Sequence, residues 1–291
     1  MLTRIISAIV GAVLFLVVCF CGLLPSTIGV TVLLAVAIIE FNRGYKRRAG
    51  EDGKPAPVPL NALLTWIGLF FPWLTYSALK MHQPFQMERI ALLQGALVLV
   101  LALRLRRAYR GEGILGQLRG SYGLVGMIYL GLLFSSFVLL RGLPGRLQLA
   151  GLPEFDQGAW LMVFTASAVW ATDSFAYFVG KSFGKRRMAP EISPAKTWEG
   201  FLGGLVGGVV AGLLFALGIH ASLGEGAVVG LIAGVFGPLG DLFESALKRE
   251  LNIKDFGSIM PGHGGILDRF DSLLFVAPLI YLYLHFVAKI G

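Results

Sequence analysis

Residues 5–24 read IISAIVGAVLFLVVCFCGLL, and none of these side chains carries a formal charge. A helix needs about 20 mainly apolar residues to cross the hydrocarbon core of a bilayer. A secretory signal peptide begins in a similar way, but its apolar core is only about 7–15 residues long and ends at a small-residue cleavage site. Cys19 follows Val18, which is bulkier than the residue usual before a lipoprotein cleavage site. We therefore predict a retained transmembrane span at about residues 3–24.

The composition of the whole chain indicates the same environment. Of its 291 residues, 56% are hydrophobic and 14% are charged, and the mean hydropathy is +0.74. Soluble domains carry about 25% charged residues, so this chain has too few polar side chains to coat a water-soluble globule. An ordinary soluble enzyme, a disordered protein and a nucleic-acid-binding domain are excluded. Cys19 and Cys21 face different sides of the first predicted helix, which argues against a disulfide between them and against a zinc ribbon.

Apolar runs of the required length predict an all-α, polytopic membrane protein with about nine transmembrane helices. The first five spans fall within residues 1–150, and the last four fall within residues 151–291 together with the loops that carry polar motifs. The predicted spans are residues 3–24, 26–42, 60–79, 88–106, 121–141, 158–180, 199–220, 224–243 and 272–289.

The distribution of lysine and arginine predicts the orientation of these spans. Cytoplasmic loops carry an excess of these residues. Arg4 and the loops after spans two, four, six and eight hold 20 of the 25 cations, and the opposite side holds five. We therefore predict a cytoplasmic N-terminus, which also accounts for the net charge of +8 without a nucleic-acid partner.

Three polar clusters follow residue 160, all on the predicted cytoplasmic side. The first surrounds Asp173, about seven residues from the cytoplasmic end of span six and so roughly 10 Å deep at 1.5 Å per residue. An isolated carboxylate at that depth is costly, and such residues usually face a partner or a wet cavity. A structural aspartate neutralised by a lysine is the alternative, and a functional role is the better prediction.

The second cluster is the loop before span seven, where Pro190 and Pro194 prevent a continuous helix. Thr197 is in position to cap span seven, and the free N–H groups of that helix beside Lys196 form a natural anion site. Ser193 and Lys196 also match the Ser-x-x-Lys pattern of acylating hydrolases. That four-residue match lacks the other motifs of those enzymes, and we discount it.

The third cluster spans residues 240–271. Asp241, Glu244, Ser245 and Lys248 share one helix face by their spacing, and Asp268 and Asp271 share another. Spans eight and nine are antiparallel, so Asp241 and Asp268 can meet at the same depth. Carboxylates with few histidines suit a hard cation such as Mg²⁺ and not zinc.

A glycine-rich turn at residues 261–265 lies between these two helices. Three glycines in five positions let the backbone approach a phosphate closely, although the turn is not a Walker loop. Lys254, Arg269 and the two aspartates flank it and predict a site for Mg²⁺ and a polyphosphate. His263 could act as an acid, a base or a hydrogen-bond donor to phosphate, and we favour the donor. Gly264 and Gly265 belong to the same predicted phosphate site.

The stretch from Ser245 to Asp271 resembles the signature of phosphatidate cytidylyltransferases, or CDP-diacylglycerol synthases. The matching residues are Ser245, Leu247, Lys248, Arg249, Lys254, Asp255, residues 261–265 and Asp268-Arg269-Phe270-Asp271. Asp173 and residues 193–200 resemble the other motifs of that family. The resemblance is specific over about residues 160–272, whereas residues 1–150 match only as hydrophobic spans. Two departures are Met260, in place of Leu, Ile or Phe, and Ala195, where many members have a second lysine.

The resemblance implies transfer of CMP from CTP to phosphatidate, with release of pyrophosphate, by a bacterial inner-membrane protein with a cytoplasmic site. It implies that Asp241 and Asp268 hold Mg²⁺, with a second cation such as K⁺ nearby. The residues expected to bind phosphates or substrate are Ser193, Lys196, Thr197, Ser245, Lys248, Arg249, Lys254, His263, Gly264, Gly265 and Arg269. Asp173 and Asp271 would orient partners or ligate through water. CTP, phosphatidate and membrane lipid are the expected partners, nucleic acid is not expected, and a homodimer stays open.

Two other functional classes of membrane protein remain possible for this sequence. A cation-coupled transporter would also use Asp173, Asp241 and the glycine-rich span seven, although close helix packing explains such glycines equally well. A transporter needs polar groups that reach both sides, and here they gather on one. A different membrane nucleotidyltransferase or a CTP-dependent lipid kinase would be distinguished by the product released.

Overall fold

The computed structural model describes residues 2–51, 59–114, 121–148, 154–219, 221–259 and 264–289. Helices dominate this part of the chain. They are α1 (Leu2–Phe20), α2 (Leu23–Glu51), α3 (Pro59–Ile67), α4 (Phe70–Lys80), α5 (Pro84–Ala108), α6 (Tyr122–Gly126), α7 (Leu133–Arg141), α8 (Gln157–Phe183), α9 (Trp198–Gly218), α10 (Leu223–Glu250) and α11 (Leu267–Leu282). A π-helical turn, Met127–Leu132, joins α6 to α7, and another, Tyr283–Val287, extends α11.

Six helical segments among the described residues are long and apolar enough to cross a membrane: Leu23–Arg47, Leu60–Lys80, Tyr122–Arg141, Trp198–Gly218, Leu223–Glu250 and Leu267–Val287. The chain is therefore an all-α, multi-pass membrane protein, as predicted. The remaining predicted spans coincide with α1, α5 and α8, so nine crossings and the cytoplasmic N-terminus stay predictions. The third predicted span is divided, because α3 ends at Ile67 and α4 begins at Phe70.

Two short antiparallel hairpins lie outside the helices. Strands β1 (Arg146–Gln148) and β2 (Glu154–Asp156) pair before α8. Strands β3 (Arg187–Ala189) and β4 (Ser193–Thr197) pair between α8 and α9, with Ala189 opposite Ser193. The prolines of the second loop thus exclude a helix there, as predicted.

Glycines let α8, α9 and α10 pack with their backbones nearly in contact. A Cβ added at Gly208 would lie 2.6 Å from the carbonyl oxygen of Gly230, and one at Gly212 would overlap the carbonyl oxygen of Gly226. A Cβ at Gly204 would lie 2.9 Å from the carbonyl oxygen of Thr172. These close approaches are typical of membrane helices with small residues at their interfaces. The packing explanation of the span-seven glycines is confirmed.

A glycine also allows α10 and α11 to approach each other closely beside the polar clusters. A Cβ at Gly240 would lie 2.5 Å from the carbonyl oxygen of Asp271. Asp241 follows Gly240 directly, so this approach sets the carboxylates of α10 beside the first turn of α11. Large buried aromatic side chains, among them Tyr129, Phe243 and Phe275, fill the core behind this contact.

Candidate functional site

A cavity of about 640 Å³ lies among α1, α8, α10, α11 and the loop after α10. It collects ionisable side chains that the sequence distributes over nearly a hundred positions. They are Asp173, Asp241, Lys248, Asp255, Asp268, Arg269 and Asp271. The structure thus brings together the aspartates of all the predicted clusters that contain one.

On α10, Asp241 is the centre of a small polar network. Its Oδ2 lies 2.8 Å from Lys196 Nζ, and its Oδ1 accepts a hydrogen bond of 3.1 Å from the Ser245 hydroxyl. Lys196 also donates to the carbonyl oxygen of Pro238 at 3.2 Å. The Asp241 side chain keeps 35% of its surface exposed. It is therefore held in place by a cation and a hydroxyl and still presents oxygen towards the cavity.

Two turns further along α10 from Asp241, Lys248 lies between two carboxylates. Its Nζ is 3.0 Å from Glu244 Oε1 and 2.9 Å from Asp268 Oδ1. The Lys248 side chain is 14% exposed, Glu244 is fully buried and Asp268 is 4% exposed. A buried ion is costly unless a partner of opposite charge compensates it. Lys248 therefore compensates the charge of the Asp268 carboxylate beside the cavity, and the fully buried Glu244 packs against the same ammonium group.

The Asp268 carboxylate is also fixed by backbone donors. Its Oδ2 accepts hydrogen bonds from Gly265 N at 2.8 Å and from Phe256 N at 3.1 Å. Asp268 lies in the first turn of α11, where the helix dipole favours a negative charge. Asp268 therefore contacts three segments of the chain: Phe256 in the loop after α10, Gly265 just before α11, and Lys248 on α10.

Two further aspartates line the cavity. Asp271 accepts a 2.6 Å hydrogen bond from its neighbour Ser272 N. Asp173, on α8, lines the same cavity as Asp241 and Arg269. A carboxylate on α8 thus lines the same cavity as the carboxylates of α10 and α11.

The β3–β4 hairpin is tied to the helices at several points. Thr197 accepts a 3.1 Å hydrogen bond from Gly200 N, which confirms it as the N-cap of α9. Arg249 Nε donates to the carbonyl oxygen of Ile192 at 3.2 Å, and this bond anchors the hairpin to α10. Ser193 and Lys196 lie three positions apart on a strand and so point to opposite faces, which argues against a Ser-Lys dyad. Lys196 pairs with Asp241 instead.

Of the remaining predicted residues, Lys254, Gly264 and Arg269 are described by the structure, whereas His263 is not. Lys254 and Arg269 are exposed, and Arg269 lines the cavity. Gly264 has a positive φ of +85°, a conformation that glycine adopts without strain. His263 lies outside the described residues, as do positions 260–262.

Sequence reasoning missed Glu40, on α2. Only 3% of its surface is exposed, and its carboxylate accepts hydrogen bonds from Ile266 N at 3.1 Å and from Leu267 N at 3.0 Å. These N–H groups begin α11 and have no partners within the helix. Gly257 and Gly265 pack against the carboxylate, where a Cβ would overlap its oxygens. A carboxylate inside an apolar span is the signal that could have identified it.

The donor set suits a hard cation and anionic substrates. Mg²⁺ is typically held by one or two carboxylates, with substrate phosphates and water completing its coordination. In the described ranges no group of three or more His, Cys, Asp or Glu side chains could hold a metal ion. Asp241 and Asp268 nevertheless line one cavity, and the described residues that line it offer oxygen donors without a sulfur or imidazole group. Lysines and arginines beside them provide the charge needed to bind phosphate groups.

Comparisons with known proteins identify the family of this chain. A family described as the cytidylyltransferase family matches residues 2–287. A phosphatidate cytidylyltransferase from Bacillus subtilis is 38% identical over 284 residues, which cover 97% of this chain and 96% of that protein. One from Staphylococcus aureus is 30% identical over 287 residues, covering 98% and 99% respectively. A third, from Synechocystis, is 40% identical over 180 residues, or 56% of this chain and 61% of its own length. This chain therefore belongs to the cytidylyltransferase family.

Proposed function

We propose that the protein is a phosphatidate cytidylyltransferase, which transfers CMP from CTP to phosphatidate and releases pyrophosphate. One structural observation carries the proposal: a single cavity between helices combines Asp241 and Asp268 with Lys248 and Arg269. The name shared by relatives that match nearly the full length supports the same reaction.

The reaction needs charge compensation more than it needs a base. A phosphate oxygen of phosphatidate attacks the α-phosphorus of CTP, a new P–O bond forms, and the bond from the α-phosphorus to the bridging oxygen breaks. Pyrophosphate leaves with that oxygen and its electron pair. The attacking phosphate is already anionic near neutral pH, so catalysis rests on alignment and on stabilising negative charge.

The chain's own residues divide into two groups for this task. Lys248, Arg249, Lys254 and Arg269 bind and orient phosphate groups, and Lys196 holds Asp241 in its rotamer. Ser193, Ser245, Thr197 and the 263–265 turn add hydrogen-bond donors to substrate. Asp271 and Asp173 orient the cations that face them.

Asp241 and Asp268 would hold Mg²⁺, with K⁺ as the candidate for a second cation. When bound, Mg²⁺ neutralises the charge of the reacting and leaving phosphates. Asp268 would then have two cationic partners, Mg²⁺ and Lys248. The Lys248 ammonium already lies 2.9 Å from this carboxylate.

The distribution of cations supports a bacterial inner-membrane location with the site at the cytoplasmic side. The motif loops fall on the side that holds 20 of the 25 lysines and arginines. CTP would reach the cavity from the cytoplasm and phosphatidate from the surrounding lipid.

The test is pyrophosphate release by detergent-purified protein given CTP and phosphatidate, with and without Mg²⁺. We expect release that requires both substrates and Mg²⁺, with equimolar CDP-diacylglycerol. Release of CDP with a phosphorylated lipid would instead identify a kinase. No turnover by folded protein would leave transport as the competing function.

A further inference from the structure

A dense group of cations lies where α8 gives way to the β3–β4 hairpin. Residues 181–187 read KSFGKRR, with four lysines and arginines and no acidic residue in seven positions. We call these four residues the α8 cation cluster; they are Lys181, Lys185, Arg186 and Arg187, and all four are exposed. They lie outside the group of described residues that lines the cavity. The roles proposed above therefore leave the cluster without a function.

Large aromatic side chains surround the α8 cation cluster and are exposed. Tyr177, Phe178 and Phe183 are 61%, 66% and 68% exposed, and Trp198, at the start of α9, is 48% exposed. The Lys181 ammonium lies 5.7 Å from the centroid of the Tyr177 ring, within the range of a cation–π interaction. Aromatic rings and cations at the end of an apolar helix are typical of the boundary between acyl chains and headgroups in a membrane. We therefore expect the cluster to lie at the level of the lipid headgroups.

The backbone that carries the cluster is held against the start of α9. The Glu199 carboxylate accepts hydrogen bonds from Lys185 N at 3.0 Å and from Arg186 N at 3.2 Å. The Trp198 N–H group donates to the carbonyl oxygen of Arg186 at 3.0 Å. The cationic side chains thus extend from a main chain that is already ordered, which lowers the entropic cost of binding an anion.

An occupant of this surface must carry negative charge next to an apolar part. We propose that the α8 cation cluster binds the phosphate headgroups of anionic membrane lipids, outside the substrate cavity. Lysines and arginines at a membrane surface attract anionic lipids, and their hydrogen bonds to phosphate are charge-assisted. A nucleotide or inorganic phosphate would supply the charge but not the apolar part that the exposed rings match.

The cluster is also close to the cavity along α8. Lys181 follows Asp173 by eight residues, which is about 12 Å at 1.5 Å per residue. Asp173 lines the cavity. A surface that binds anionic headgroups here therefore gathers lipids of that class beside the cavity.

Native mass spectrometry of the detergent-purified full chain measures lipid binding without turnover. We expect phosphatidylglycerol to bind at least about tenfold more tightly than phosphatidylcholine with the same acyl chains. The triple variant Lys181→Gln/Lys185→Gln/Arg186→Gln should lose this preference, because each cation near a headgroup contributes about fivefold in affinity. Equal affinity for the two lipids in the unmodified protein, or a preference that survives in the triple variant, would overturn the proposal.

A matched control removes the same charge elsewhere. Arg106→Gln/Arg107→Gln/Arg110→Gln replaces three exposed arginines at the end of α5 and just after it. This variant should keep the preference for phosphatidylglycerol. An equal loss in the control would show that total charge, and not the cluster, attracts the lipid.

Competition separates the lipid from other anions. A large molar excess of inorganic phosphate or of CTP should leave phosphatidylglycerol bound to the unmodified protein. Displacement by CTP would assign the cluster to the nucleotide, and displacement by inorganic phosphate would show a site for any phosphate. Either result would overturn the proposal.

A further experiment needs no variant. The unmodified protein in bilayer nanodiscs is irradiated with phosphatidylglycerol that bears a photoreactive azide on its headgroup. Labelling of the peptide that contains residues 177–187, reduced by excess unlabelled phosphatidylglycerol, is the expected result. Labelling confined to other segments would overturn the site. Both measurements are independent of the proposed function, because neither requires CDP-diacylglycerol to form.

Discussion

The Oε2 atom of Glu40 lies 3.0 Å from the backbone nitrogen of Leu267, which is 227 residues later in the chain. Through this contact α2 holds the beginning of α11. The turn that it holds also contains Gly265, whose N–H group donates to Asp268. A residue of the N-terminal half thus supports the cavity without lining it.

Replacing Glu40 should reduce stability and activity together. Glu40→Ala leaves the buried N–H groups of Ile266 and Leu267 without acceptors, and each such loss costs about 1–3 kcal/mol. Glu40→Gln keeps one acceptor oxygen and should be milder. Thermal unfolding in detergent measures the first effect, and cytidylyl transfer per folded molecule measures the second. Unchanged stability in Glu40→Ala would contradict the capping role.

Gly257 should be sensitive to substitution only while Glu40 is present. A Cβ at position 257 would overlap Glu40 Oε1, so Gly257→Ala should destabilise the protein by about 1–3 kcal/mol. In a Glu40→Ala background that overlap is gone, and the second change should cost much less. A double-mutant cycle should give a coupling of at least about 0.5 kcal/mol. Additive effects would show that the carboxylate is not what excludes the methyl group.

Asp268→Asn should abolish most turnover and leave the fold intact. The amide keeps the shape of the side chain but loses the charge that pairs with Lys248 and would hold Mg²⁺. We expect a loss of at least about 10²-fold in kcat, as when a preorganised electrostatic group is removed from other enzymes. Glu154→Gln, a change at an exposed carboxylate outside the cavity, is the control. Retained activity would remove Asp268 from the metal site.

Thr197 offers a separate test of the hairpin and α9. Thr197→Val removes the oxygen that caps Gly200 N, and losing an N-cap costs about 0.5–2 kcal/mol. Thr197→Ser keeps the oxygen and should retain most of the stability. Chemical unfolding monitored by helix content compares the three proteins. Equal stability of the serine and valine variants would contradict the cap.

The sequence predicted the fold class and the aspartates of the cavity for physical reasons that are easy to identify. Apolar runs mark membrane helices, and antiparallel spans bring Asp241 and Asp268 to the same level. The break between α3 and α4 was hidden, because residues 60–79 are apolar on both sides of it. Glu40 was missed because its partners are backbone N–H groups, which no side-chain pattern reveals. The bond from Arg249 to the β3–β4 hairpin likewise depends on tertiary packing.

The contact between Glu40 and α11 also constrains the order in which the protein can be assembled. During synthesis α2 leaves the ribosome long before Ile266 and Leu267 exist, since 226 residues separate Glu40 from the first of them. Its carboxylate must therefore stay hydrated or be neutralised while the following helices are inserted. The cavity acquires its final shape only when the last helix arrives, so an incompletely translated chain would have no competent site.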